Sequence, residues 1–412
     1  MSKRRSQLWA AGRVTLAMVL LVIVFRYIIP MRDTVELADG TLLTGAFIEQ
    51  RADVVVMDTA DGIITVAYSQ MAYDAAGEPE VSRGFIPLLR EMRAGRYLIG
   101  LAMLGMIPWI AAVRWCTLMR AQGMPLGYWR ALELTYLGLF CNNFMPGLTG
   151  GDVAKAYYAS KLTSTLKTNA VVTVFLDRLV GIVVLAMLAG AAVLVALVFA
   201  RSENSADFLI AARIILIFVL CSLAGIAGFF SRRTRRLLRK IVKAVPGHDR
   251  LRENLLVQKL LAFGKRIDAA VFLYRHKKRA LMWAALLSVA AHSSAVSGIL
   301  FFGRALGVAE VTLMNSFVVV PVAFIVSSIP IAPAGWGIGE MAFKTFFATV
   351  GVGAAAAVTI SVVFRLTQAL WTLPGGLFLM VQKERPTFEE VDEEMDTAGQ
   401  RLEDMAEDPD AV

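Results

Sequence analysis

Asn142-Asn143-Phe144-Met145-Pro146-Gly147-Leu148-Thr149-Gly150-Gly151-Asp152, with Lys155 one turn further on, is the stretch that decides the fold, because the chain contains a second one built the same way. The second reads Pro330-Ile331-Ala332-Pro333-Ala334-Gly335-Trp336-Gly337-Ile338-Gly339-Glu340, with Lys344 one turn further on. Each ends an apolar run in proline and glycine, then places an acid and a lysine. Each leads into a long apolar segment carrying an arginine near its start. Arg178, preceded by Asp177, lies 26 positions beyond Asp152, and Arg365 lies 25 positions beyond Glu340. Proline and glycine interrupt a helix and free backbone groups that hydrocarbon cannot satisfy. A break at membrane depth must therefore line a cavity or sit buried in protein. Paired breaks in corresponding places are the pattern of transporters built from inverted repeats.

The surrounding composition demands a bilayer. Of 412 residues, 57% are hydrophobic and 18% charged, against about 25% charged in a typical soluble domain. Mean hydropathy is +0.62, more apolar surface than a soluble chain of this size can hide. A helix needs about 20 mostly apolar residues to cross the hydrocarbon. Stretches 14–30, 97–118, 169–199, 208–230, 281–302 and 355–381 qualify or nearly do, and 131–146 and 313–329 are shorter apolar runs that end in the two breaks. The positive charge orients them. Residues 1–13 carry four basic residues and no acid, and 231–279 carry sixteen Lys or Arg against three acids, so both are expected in the cytoplasm. Residues 31–89 carry ten acids against three Arg and are expected outside. The parity closes only if 131–168 and 313–352 each enter and leave on one side, as hairpins from opposite faces. The expected fold is thus an all-α polytopic membrane protein with about six full spans, two broken re-entrant hairpins forming an inverted repeat, and a small β-rich extracytoplasmic insert.

This gives four segments: a transmembrane helix at 1–30, an extracytoplasmic β domain at 31–95, a transmembrane domain at 96–382 and an acidic cytoplasmic tail at 383–412. The basic start and apolar run of the first resemble a signal peptide, but the run ends in Arg26-Tyr27 without a small-residue cleavage site, so it reads as an uncleaved span. In the second, Thr34–Glu49 and Asp53–Ser69 are rich in Val, Ile and Thr, and Asp39-Gly40 and Asp61-Gly62 are hairpin dipeptides, which predicts four short strands. Phe85 to Met92 predicts a short interfacial helix. The tail has twelve acids and three basic residues. The basic 231–279 segment reads as topology and attraction to anionic headgroups rather than nucleic-acid binding. Cys116, Cys141 and Cys221 lie in apolar stretches without a CxxC pair, so neither a disulfide framework nor a metal site is expected.

The charged residues at the breaks carry two readings. In one, Asp152 pairs with Lys155 at i,i+3 and Glu340 with Lys344 at i,i+4, or the acids merely cap helix N-termini, and the glycines serve close packing. In the other, the new helix start after each break, with its free N–H groups and positive dipole end, binds an anion such as phosphate, and the glycines admit it. The two-copy constellation favours the second. Arg114 reads as a snorkelling side chain. His292, in a Ser-rich stretch, reads as a cross-helix hydrogen bond or a proton site. Gln368, one turn after Arg365, shares its face.

The runs NNFMPGLTGGDVAKAYYA, FLDRLVGI and IAPAGWGIGEMAFK together resemble the flippase-like membrane domain shared with bacterial lysylphosphatidylglycerol synthases, over residues 97–381. The positions that match are Asn142, Asn143, Pro146, Gly150, Gly151, Asp152, Asp177, Arg178, Gly337, Gly339, Glu340 and Arg365. The resemblance implies translocation of a lipid between leaflets. About thirty residues follow the last span, so no aminoacyl-transferase domain is expected, and the β segment stands outside the pattern. The substrate-binding set expected on these grounds is Asn142, Asn143, Gly150, Gly151, Asp152, Lys155, Asp177, Arg178, Gly337, Gly339, Glu340, Lys344, Arg365 and Gln368.

The leading function is a transporter of a lipid or lipid-linked anionic substrate, not an enzyme, without cofactor or metal. Its partners are membrane lipids, either anionic phospholipid or polyprenyl-linked lipid, with no nucleic acid; homo-oligomerisation is left open. Its expected place is the cell (inner) membrane, both termini cytoplasmic. No Walker A sequence is present, so any drive comes from a gradient. The alternatives are a membrane enzyme acting on a lipid-linked substrate, which needs its acids at one membrane face, and a scaffold that does not transport. In a cysteine-free background, a cysteine at position 60 is expected to label from outside and one at position 250 only from the cytoplasm. Labelling of position 60 only from the cytoplasm would overturn the parity.

Overall fold

The computed structural model describes residues 31–51, 53–73, 81–124, 126–144, 150–161, 167–199, 276–327 and 337–381, with Arg213, Ile217, Leu220 and Tyr274 besides. The expected spans at 14–30 and, but for three residues, 208–230 lie outside the described residues, as do both proline-bearing breaks (145–149 and 328–336) and the acidic tail. Contacts divide the chain into two compact units. The first comprises Met1–Leu104, Asn204–Phe208 and Val296–Gln368; the second comprises Gly105–Glu203, Leu209–Ala295 and Ala369–Val412.

The first unit begins with an antiparallel sheet of β1 (Asp33–Glu36), β2 (Leu42–Gln50), β3 (Val54–Thr59), β4 (Gly62–Ala67) and β5 (Val81–Ser82), in the order β4-β3-β2-β1-β5. Alternation builds it: in β3, Val55 and Met57 point inward and are fully buried, joining Val35, Val66 and Met71 in one small core. The turn at Asp39-Gly40 forms as the dipeptide predicts, with Gly40 at φ 82° and the Asp39 carboxylate accepting from the Thr41 N–H at 2.8 Å. That bond holds the Asp39 pKa below the usual carboxylate range. The second hairpin turns on Ala60-Asp61, and Gly62, at φ 113°, is the first residue of β4. The four expected strands are present. β5 is a fifth that its two-residue length hid, and it pairs with β1.

A buried carboxylate ties this sheet to the helix that follows. Asp33, 1% exposed, accepts from the Phe47 N–H at 2.9 Å and the Gly84 N–H at 2.7 Å, with Arg83 Nε 3.4 Å away. Gly84 is the residue before α1 (Phe85–Arg90), the short helix expected there. A side chain at Gly84 would run into the backbone of Arg32, so glycine is required where the two strands of chain cross.

The remaining described elements are helices: α2 (Ala94–Ala121), α3 (Tyr128–Phe144), α4 (Gly150–Lys161), α5 (Lys167–Phe199), α6 (Lys278–Ala305), α7 (Leu313–Ser327), α8 (Ile338–Ala348) and α9 (Ala354–Val381). Four of them, α2, α5, α6 and α9, are long and apolar enough to cross a membrane. These match the stretches expected at 97–118, 169–199, 281–302 and 355–381, and α3 and α7 match the two shorter runs. They also leave large apolar side chains outward, including Trp109 on α2, Met187 on α5, Trp283 on α6 and Leu377 on α9. Outward apolar side chains on helices of this length suit a lipid solvent.

Inside the first unit, α6, α7, α8 and α9 share a core around Ile299, Val319, Phe343, Phe347 and Ile360. Phe343 stacks on Phe364 with ring centres 6.4 Å apart, and Phe324 lies against both. Inside the second, α2, α3, α4 and α5 meet around Trp115, Leu134, Cys141, Ala159 and Val174. Cys116 and Cys141 are buried free thiols, the small core residues expected. α9 ends against α3: a side chain at Gly375 would collide with the backbone carbonyl of Tyr136. The helices therefore touch backbone to backbone, as small residues allow in membranes.

Candidate functional site

Both broken segments are followed by the same construction, one in each unit. In the second unit, α3 leads through the break to α4, and five residues later α5 begins. Asn142, near the end of α3, turns its Oδ1 onto the Gly151 N–H at 3.1 Å and so supplies an acceptor that the first turn of α4 lacks. A side chain at Gly151 would strike the Gly138 carbonyl oxygen, so α3 and α4 also approach backbone to backbone. Asn143 donates from Nδ2 to Thr372 Oγ1 at 3.2 Å. Gly150 opens α4.

The charges then fall on two faces of α5. Asp152, the third residue of α4, pairs with Nη1 of Arg178, the twelfth residue of α5, at 2.5 Å. Asp177 precedes Arg178 and, at about 100° per residue, faces elsewhere. Arg114 of α2 grips it with both prongs, Nε to Oδ1 at 2.7 Å and Nη2 to Oδ2 at 3.1 Å. The third nitrogen of Arg114 donates to Ser288 Oγ at 2.8 Å on α6. Lys155 is buried, with its ammonium 3.7 Å from Asp177 Oδ2 and 4.0 Å above the ring of Trp115, a cation–π position. His292 Nε2 lies 2.9 Å from the Gly181 carbonyl, joining α6 to α5.

In the first unit, α7 leads through its break to α8, and α9 follows. Glu340, the third residue of α8, pairs with Nε of Arg365, the twelfth residue of α9, at 2.6 Å. The acid and the arginine thus hold the same positions, third and twelfth, in both modules. Glu340 is 0% exposed and both its oxygens are used, because the second accepts from the Gly337 N–H at 2.6 Å. Gly337 has φ 84°, a backbone shape that only glycine adopts freely. A side chain at Gly339 would occupy the place of the Arg365 guanidinium. Lys344 is half-buried and Gln368 exposed, and neither makes a polar contact among the described residues. Thr367 is the buried neighbour, bonded to the Tyr97 hydroxyl at 3.1 Å.

The structure therefore pairs each acid with the arginine of the next helix, and the ion pairs are not the i,i+3 and i,i+4 pairs within one helix. It brings together Asn142, Gly151, Asp152, Lys155, Asp177 and Arg178 in one unit, and Gly337, Gly339, Glu340 and Arg365 in the other. At Gly151 and Gly339 the protein's own atoms fill the space that the missing side chain vacates. Arg114 is no snorkelling residue but the main partner of Asp177. The signal was available: Asp177 and Arg178 face different ways, so an acid inside an apolar span needed a second cation, and Arg114 was the one in a neighbouring span. A double-mutant cycle tests the fit at Gly339. Gly339→Ala alone is expected to lower the thermal midpoint of the detergent-solubilised protein as the guanidinium is displaced from Glu340, at a cost of about 3–5 kcal/mol for a broken buried pair. In an Arg365→Ala background the same substitution is expected to cost little, a coupling that independent sites do not show.

Comparison with known proteins places this arrangement. Residues 83–375 match the family described as the lysylphosphatidylglycerol synthase TM region. The chain is also similar to the UPF0104 membrane protein PH1989 of Pyrococcus horikoshii, with 26% identity over 285 residues that cover 67% of this chain and 83% of that protein. No solved structure matches it. The match takes in both modules, three of the four described helices able to cross a membrane and most of the fourth, and the chain is a membrane protein belonging to the lysylphosphatidylglycerol synthase TM region family.

Proposed function

We propose that this protein moves a lipid or lipid-linked anionic substrate between the leaflets of the cell (inner) membrane, and that it is a transporter rather than an enzyme. The observation that carries the reading is the repeated placement of a carboxylate third in a short helix and an arginine twelfth in the next long one. Stability alone gives no reason for this. A buried ion pair is often matched or bettered by well-packed apolar residues, and ionisable groups inside apolar spans mark substrate or ion pathways. An anionic headgroup leaving the interface needs a cation waiting for it, and arginine remains charged when buried.

In this reading six full spans carry the chain across the bilayer, with both termini in the cytoplasm. The two modules are re-entrant hairpins of an inverted repeat, entering from opposite faces. Such repeats support alternating access by movement of one half against the other. Membership in the family supports a lipid cargo, because the resemblance of the two motifs implies lipid translocation.

The test is a leaflet-resolved assay on protein reconstituted in vesicles, with tail-labelled anionic phospholipids, an aminoacylated lipid and a polyprenyl phosphate as the panel. The wild-type protein is expected to speed the exchange of at least one anionic member. Arg178→Gln and Arg365→Gln are expected to return it to the rate of protein-free vesicles. Lysine at position 178 is expected to restore it only partly, since an ammonium lacks the planar fork that suits phosphate, whereas Arg365→Gln acts through loss of the Glu340 pair that holds α8 on α9. Wild-type vesicles that exchange no member of the panel faster than empty ones would defeat the proposal.

A further inference from the structure

The two modules share a register, but their arginines are engaged to different degrees. Arg365 is closed in: its side chain is 10% exposed, its carboxylate partner is 0% exposed, and its guanidinium fills the hollow at Gly339. Both oxygens of Glu340 are committed, one to Arg365 and one to the Gly337 N–H. Arg178 is open. Its side chain is 44% exposed, its partner Asp152 is 28% exposed, and their closest contact is Nη1 to Oδ2 at 2.5 Å. With 44% of its side chain exposed, Arg178 offers its guanidinium fork to a phosphate far more readily than Arg365, at 10%, does.

The charge count differs in the same direction. Among the described residues, the ion pair at Glu340 joins one carboxylate to one guanidinium, and its sum is zero. Among the described residues, the ion pairs around Asp152 join three cations, Arg114, Lys155 and Arg178, to two carboxylates, Asp152 and Asp177, and their sum is +1. Asp177 is saturated by the fork of Arg114. Lys155, one turn beyond Asp152 on the same helix, is held more loosely, 3.7 Å from Asp177 and 4.0 Å above the Trp115 ring.

We propose that the second unit's module reads the phosphate of the cargo, by exchange of a phosphate oxygen for the Asp152 carboxylate on Arg178, and that the Glu340–Arg365 pair is a fixed latch. This deepens the lipid-transport reading and takes its cargo from it. Asp152, once displaced, swings to Lys155, which lies at i,i+3 on the same face of α4. The excess of one positive charge selects a headgroup with one net negative charge, a lipid phosphodiester such as that of phosphatidylglycerol. It disfavours the aminoacylated form, whose ammonium groups would reverse the sign of the headgroup. Arg178 contacts the substrate; Arg365 is a positioning residue that acts by holding α8 on α9.

The experiment measures binding of tail-labelled phosphatidylglycerol to the full chain in detergent, by fluorescence anisotropy, with folding of each variant checked by its thermal midpoint. Wild type is expected to prefer this lipid to phosphatidylcholine and to lysylphosphatidylglycerol by about tenfold, the worth of one charge-assisted contact. Arg178→Gln is expected to lose that preference, and Arg178→Lys to keep part of it. Asp152→Asn is expected to bind the lipid more tightly than wild type, because the competing carboxylate is gone; a merely structural pair predicts the opposite. Arg365→Gln is expected to lower the thermal midpoint and leave the preference in the folded fraction. Loss of binding in Asp152→Asn, or an equal loss of preference in Arg365→Gln and Arg178→Gln at equal folded fraction, would overturn the assignment. So would binding of glycerol 3-phosphate without binding of the lipid, which would make the site one for soluble phosphate. The expected binding pattern without exchange in vesicles would defeat the transport reading alone. Exchange in vesicles with binding unaltered in Arg178→Gln would defeat this assignment alone.

Discussion

A carboxylate and a guanidinium brought together inside an apolar helix packing is the constraint on which this molecule is arranged. An unpaired charge is costly there, and at the closed Glu340–Arg365 pair removal of one partner costs about 3–5 kcal/mol. The pair must therefore form, and it forms only if the short helix after each break lies against the long helix that follows. Asp152 fixes α4 to α5 in this way, and Glu340 fixes α8 to α9. The glycines follow from that demand. Gly339 is bare because the Arg365 guanidinium lies where its side chain would be, and Gly151 is bare because α3 crosses there at backbone distance. The proline and glycine breaks and the ion pairs are thus parts of one device, in which a helix start is delivered beside an arginine.

The same logic extends outward from each pair. In the second unit Asp177 repeats the problem on the next residue, and Arg114, Ser288 and Lys155 solve it from three other helices. Four helices are held by a network of buried polar contacts in which no acid is left alone. At the sheet, Asp33 performs the equivalent task with backbone donors, drawing β2 and the entry of α1 onto β1. A small sheet is marginal by itself, and a buried carboxylate that reaches the entry of the short helix α1 gives this one an anchor.

Much of this was legible in the sequence, for identifiable reasons. Span positions follow from apolar length, which the bilayer fixes, so α2, α5, α6 and α9 lie where the hydropathy puts them. The two modules were visible as spacing, because proline, glycine, an acid and a later arginine recur at nearly equal intervals. Partners were less legible. From Asp152, Lys155 at i,i+3 is as close in sequence terms as any helical neighbour, and only the folded chain reveals that Arg178, 26 positions on, takes the acid instead. The role of Arg114 depended on a contact between α2 and α5, 63 positions apart. β5 carries two residues, too few for any alternation to register. The glycines carried two readings in the sequence, ligand approach or close packing, and at Gly339 and Gly151 what approaches is the protein's own guanidinium and backbone, which residue type alone does not specify.

The most direct test of the account is an exchange of charges within the open pair, Asp152→Arg combined with Arg178→Asp, measured by leaflet-resolved lipid transport in vesicles with insertion and thermal stability as controls. The exchange restores the ion pair between α4 and α5 but moves the guanidinium from its place on the long helix. The account predicts that the doubly substituted protein inserts, regains most of the stability lost in either single variant, and still fails to move an anionic lipid. Full transport by the exchanged protein would mean that the pair serves only to hold two helices together, and would contradict the central claim.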